Sequence, residues 1–92
     1  MFSFEFDDKL RKKLEKLSKK DKILVKNFRK KLLEIINKNN KSIDIYKNLK
    51  SPLNDYKRIH LTDNVILLFK VFKNENKIIF MDIIHWDRAY RK

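Results

Sequence analysis

The stretch YKRIHLTDNVILLFKVFKNENKIIFMDIIH, residues 56–85, decides the fold. Two apolar runs, VILLFKVF (65–72) and IIFMDII (78–84), are separated by short polar breaks, TDN and KNENK. Both are rich in Ile, Leu, Val and Phe and far shorter than the ~18 residues a membrane span needs, so they read as strands. Upstream, a strand at about 54–61 alternates Tyr56, Arg58 and His60 with Lys57, Ile59 and Leu61. Asp63 and Asn64 supply the residues a tight turn prefers. VILLFKVF is apolar on both faces and belongs in the sheet's interior. IIFMDII returns as the third strand of a meander that ends at His85.

Working outward, Pro52 argues against helix just before the meander. At the other end of the chain, Phe2, Phe4 and Phe6 alternate with polar residues, the period of a short strand with one buried face. Asp7 or Asp8 can cap a helix lined by Leu10, Leu14 and Leu17. Ser18 and Asp21 stand in the spacing of a capping box, so a second helix follows with almost no linker. It runs to about Asn37 with Leu24, Phe28, Leu32, Ile35 and Ile36 on one side. NKNNKS then ends it; with no glycine in the chain, asparagine is the residue best suited to left-handed positions. The order strand–helix–helix–strand–strand–strand predicts a single α+β domain over residues 1–92, a helical hairpin on a largely antiparallel sheet.

Composition narrows the function. Twenty-four Lys and Arg against twelve Asp and Glu give a net charge of +12 on 92 residues, which points to a polyanionic partner. The absence of cysteine removes disulfides, thiolate metal sites and a cysteine nucleophile. MFSFEFDDKL has acids where a signal peptide needs bases, and an intracellular, cytoplasmic chain is expected.

The two histidines, His60 and His85, both fall where a strand runs out, and the meander brings those ends together. His60 shares a face with Tyr56 and Arg58, while His85 shares parity with Ile79, Met81 and Ile83. Flanked by Lys57, Arg58, Arg88, Arg91 and Lys92, the pair is expected to form one site suited to RNA cleavage. There a 2'-hydroxyl attacks its own phosphate, so neither metal nor cofactor is needed. The protein supplies a base, an acid and cations, roles open to histidine and arginine. Trp86 and Tyr90 are suited either to stack a base or to anchor the C-terminal segment.

YKRIH, the apolar VILLFKV, and the closing H-x-D-x-x-Y of His85, Asp87 and Tyr90 resemble the RelE/ParE superfamily of type II toxin–antitoxin toxins. The likeness is greatest to its RelE-like and YafQ-like messenger-RNA interferases, and it covers nearly the whole chain. It implies a compact toxin that cuts mRNA in the ribosomal decoding site and is silenced by an acidic antitoxin, with no membrane partner. His60 and His85 match the acid–base histidines, Arg58 a basic strand position, and Tyr90 an aromatic at the C-terminal end of the site. Asp87 would orient a neighbour, and Asp63 is a further acid–base candidate. Lys47 stands where some YafQ-like members carry a histidine; with Lys50, Lys57, Arg88, Arg91 and Lys92 it would contact phosphates. Ile66 and its neighbours occupy the strand where many RelE-like toxins carry an arginine. The superfamily also holds ParE-like gyrase inhibitors, and a non-catalytic RNA- or protein-binding module stands as a third reading.

Overall fold

The computed structural model describes residues 1–51 and 54–86. Strand β1 spans Ser3–Phe6, helix α1 Asp8–Lys20 and helix α2 Lys22–Ile36. Strands β2, Lys57–His60, β3, Val65–Phe72, and β4, Lys77–His85, follow. The sheet order is β1-β4-β3-β2. β2, β3 and β4 form the expected antiparallel meander, and β1 joins β4 in parallel at the other edge. Among the described residues no helix is long and apolar enough to cross a membrane.

Asp7 caps α1, its carboxylate accepting from the Lys9 N–H at 3.0 Å. Asp21 serves both helices. Its N–H closes α1 on the Leu17 carbonyl at 2.8 Å, and its side chain opens α2 by accepting from the Leu24 N–H at 3.0 Å. The capping-box expectation is therefore corrected. Because α1 runs on through Lys20, the first residue free to cap is Asp21 itself, and Ser18 stays inside α1, donating to the Glu15 carbonyl. The positive-φ position also differs: it is Asn76, at φ 51°, in the turn between β3 and β4. The Asn76 carbonyl accepts from the Ser3 N–H and its side chain donates to the Met1 carbonyl, tying this turn to the start of β1.

One face of the sheet carries the main core. Leu24, Phe28, Leu32, Ile35 and Ile36 of α2 and Leu10 of α1 pack on Leu67, Phe69, Ile78, Phe80 and Ile83. Phe69 and Phe80 are fully buried, each stabilising the fold by roughly 1.5–3 kcal/mol through removal from water. Phe2 joins this core and Phe6 packs against Phe28 and Phe80, but Phe4, on the edge strand, stays 43% exposed. The other face bears a smaller cluster, Leu49, Ile66 and Leu68, with Tyr56, Met81, Ile84 and Trp86 packed against it. Among the described residues no helix covers this second face.

Between α2 and β2 the chain makes a short 3₁₀ turn, Ser42–Ile45, and then runs beside β2, where Asn48 bridges to Lys57. Polar contacts hold this passage. Asp44 is held below the usual carboxylate range by its hydrogen bond from Lys73 at 2.7 Å, with Lys57 adding to the effect. Tyr46 donates to Glu34 at 2.7 Å, and burial followed by that carboxylate pushes the phenol well above its ordinary value.

Candidate functional site on the open sheet face

β2 places Arg58 opposite Leu68 and His60 opposite Ile66, so both side chains share the uncovered face with those two apolar residues. Trp86 reaches the same face just past the end of β4, its N–H held by the Asn64 carbonyl at 2.8 Å. The three rings and planes converge: the His60 and Trp86 centroids lie 4.5 Å apart, and the Arg58 guanidinium carbon lies 5.0 Å from the indole centroid. A cation over an indole is held by the ring's quadrupole, which fixes the guanidinium's direction without using its N–H donors. Arg58 Nε is buried and has no hydrogen-bond partner among the described residues. His60 is exposed.

Two further cations border this cluster. The Lys47 carbonyl accepts from the Arg58 N–H at 3.0 Å, setting the exposed Lys47 across from Arg58. Lys70, opposite Ile79 on β3, lies with its ammonium 4.8 Å from the Tyr56 ring centroid. The face thus combines an apolar floor, two aromatic rings and cations, Arg58, Lys47 and Lys70, that form no ion pair among the described residues.

His85 does not join it. In the β3–β4 ladder Leu68 pairs with Asp82 but Phe69 pairs with Phe80, leaving Met81 as an extra residue in β4. A one-residue bulge reverses the alternation beyond it. Ile83 therefore turns into the helix-side core and His85, two residues on, falls on that same side opposite Val65. There it lines a cavity of about 310 Å³ with Lys13, Lys16, Lys20, Leu17 and Leu24. The expectation of one site shared by both histidines is corrected: the strand ends are adjacent, but the side chains leave from opposite faces. Lys57 is also turned from the open face. Its ammonium donates to the Tyr46 carbonyl at 2.9 Å and to Asn48 at 3.1 Å, with Asp44 at 3.7 Å. Lys50 and Asp63 are exposed in the connections flanking β2. Asp87, Arg88, Tyr90, Arg91 and Lys92 lie outside the described residues.

No family model matches the chain. Over its full length it is 41% identical to a protein of Methanocaldococcus jannaschii described as "Putative toxin RelE4", covering 94% of that protein. The chain belongs to the RelE/ParE superfamily of toxin–antitoxin toxins. Solved structures of such toxins share its fold. YafQ from Escherichia coli strain BL21(DE3) superposes with a TM-score of 0.66 at 17% identity, over 99% of this chain and 100% of YafQ. The toxin in the YoeB–YefM complex from Staphylococcus aureus gives 0.70 at 18% identity, over 90% and 94%.

Two elements of this RelE-type toxin's open face escape a reading of the sequence by periodicity. Lys70 is the one charged residue inside VILLFKVF, and a lone cation in an apolar run was the signal available for it. Asp82 is the buried charged residue among those described, bonded by Lys13 at 2.6 Å and approached by Lys9 at 3.5 Å. An aspartate inside IIFMDII carries the same signal. Together the face can seat a phosphate against Arg58, with Lys47 across from it, offer a proton-exchanging imidazole, and stack a base on exposed ring surface.

Proposed function

We propose that this toxin is a ribosome-dependent messenger-RNA endoribonuclease, held inactive in the cell by an acidic antitoxin. The observation that carries this reading is the His60–Trp86–Arg58 cluster on the uncovered face. It brings an imidazole and a guanidinium, groups suited to proton transfer and to phosphate binding, against one indole ring. The attacking nucleophile is the RNA's own 2'-hydroxyl. As its proton leaves, the 2'-oxygen bonds to phosphorus; the bond from phosphorus to the 5'-oxygen then breaks, and that oxygen takes up a proton. The products are a 2',3'-cyclic phosphate and a 5'-hydroxyl. Arg58 stabilises the extra negative charge of the phosphorane, Lys47 adds to the field, and His60 moves one of the two protons. Asp63, Asp87 and Tyr90 are the candidates for the other. The YoeB–YefM complex supports an antitoxin partner for the present chain, and the charge of +12 favours an acidic one.

The test is sequencing of RNA ends after brief induction, with purified toxin on programmed ribosomes beside it. His60→Ala should cost roughly 10²–10⁴ in cleavage rate, the range for loss of a proton-transfer group, whereas His85→Ala should stay within a few-fold of the parent. Chelators should leave the rate unchanged. Cleavage that leaves 5'-phosphates would falsify internal attack. Full toxicity of His60→Ala accompanied by DNA breaks would replace the nuclease with gyrase poisoning.

A further inference from the structure

Beside the Arg58 cluster the open face holds a niche of about 280 Å³, lined by Tyr56, Leu68, Met81, Ile84, Asp82, and Asp7 with Lys9. Leu68 is both part of this lining and the cross-strand partner of Arg58, so the niche begins one strand spacing, about 4.8 Å, from the proposed phosphate site. The Met81 bulge creates it. By adding a residue to β4 it keeps both Met81 and Asp82 in the lining, where strict alternation would turn one of them away. The volume lies just under the range that holds drug-sized ligands, room for one flat heterocycle.

The polar edge of the niche has a definite pattern. Asp82 accepts through Oδ1 from Lys13 and from the Ile83 N–H, while among the described residues Oδ2 has only the looser Lys9 contact at 3.5 Å. Asp7 adds a second carboxylate, and the Lys9 side chain, 69% exposed, can turn its ammonium toward an occupant. The niche therefore offers carboxylate acceptors beside a cationic donor, over an aromatic and aliphatic floor. Guanine alone among the four RNA bases presents two adjacent N–H donors, at N1 and N2, next to the O6 acceptor. Uracil sets its single donor between two acceptors, and adenine and cytosine direct a ring nitrogen lone pair at the carboxylate.

Resting on the nuclease reading above, we propose that this niche is a guanine-binding subsite for a nucleotide flanking the phosphate that is cut. Asp82 and Lys9 set the preference, and Tyr56, Leu68 and Met81 form the apolar floor. The chain provides its own reporters, one tryptophan, Trp86, and two methionines, Met1 and Met81. Guanosine 3'-monophosphate and uridine 3'-monophosphate would be titrated into the full chain labelled at the methionine methyls. The guanosine nucleotide should bind about tenfold more tightly, shift the Met81 methyl and change Trp86 fluorescence. Lys9→Ala, at a surface position, and Asp82→Asn should each bring the two affinities to within about twofold. If Asp82→Asn fails to fold, Lys9→Ala decides alone. Equal binding of both nucleotides, or a Trp86 response with an unmoved Met81 methyl, overturns the subsite. Guanosine preference without RNA cleavage would remove the nuclease and keep the niche; cleavage without preference would do the reverse.

Discussion

At the scale of single residues, this toxin separates cations that hold the fold from cations that are available. Lys57 and Arg58 are neighbours in sequence with opposite fates. Lys57 faces the helix side at the sheet margin and spends its ammonium on Tyr46, Asn48 and Asp44. Arg58 faces the open side and rests on an indole. The geometry of Arg58 suits a planar fork and not a point charge. Arg58→Lys should thus lower RNA cleavage by roughly ten- to a hundredfold, the value of a charged hydrogen-bond pair, with an unchanged melting temperature. Cleavage kinetics beside a thermal melt check this, and a fall in melting temperature that accounts for the activity loss would argue for a structural arginine. Tyr46 is the contrasting case. Burial and Glu34 raise its pKa above the ordinary 10.0, so the neutral phenol is the form the fold favours. Its contribution is fully present below the unfolded pKa and is lost as pH climbs above it. Tyr46→Phe should lower stability near neutral pH by about 1 kcal/mol or somewhat more, and should flatten the alkaline decline that urea unfolding reads from about pH 10 upward.

At the scale of elements, the bulge in β4 decides which residues share a face. Deleting Met81 would join Asp82 directly to Phe80 in the existing ladder, so the bulge would vanish while Ile83 and His85 kept the helix side. Losing one half-buried methionine from the open face, with Ile83 and the Lys13–Asp82 pair kept, should destabilise the protein by only about 0.5–3 kcal/mol. Urea midpoints measure this, and a far larger loss would mean that β4 slips in register and Ile83 leaves the core. The same bulge marks the limit of what the sequence discloses. Both helices, β1 and β2 follow from periods of 3.6 and 2, because burial on one face imposes them, and β3 and β4 follow from short apolar runs that suit the interior of a sheet. Arg58 and His60 share a face because no bulge interrupts β2. The side taken by His85 was not legible, since an inserted residue leaves composition and hydrophobicity of IIFMDIIH unchanged and only the ladder reveals it. Asp21 was misassigned for a related reason: S-x-x-D fixes a spacing, and where α1 stops is settled by packing of Leu14 and Leu17 against the core.

At the scale of the whole molecule, a charge of +12 sits within a radius of gyration of 12.7 Å. At about 0.1 M salt the screening length is near 10 Å, so cations on α1, α2 and the open face still repel one another across the fold; at about 1 M it shrinks to roughly 3 Å. The same field would draw in from a distance an antitoxin of the acidic kind proposed above. Salt must then act with opposite signs on two measurements. Raising it should stabilise the free toxin, because self-repulsion is relieved, and should slow association with the antitoxin, because steering is lost. Urea midpoints and stopped-flow association rates over one salt series read both. The association rate should fall by at least tenfold across the series while dissociation changes far less, since steering acts on encounter and not on the docked contacts. A rate that does not respond to salt, alongside a rising midpoint, would mean that the antitoxin docks through the apolar surface of the toxin and that its excess charge serves the RNA alone.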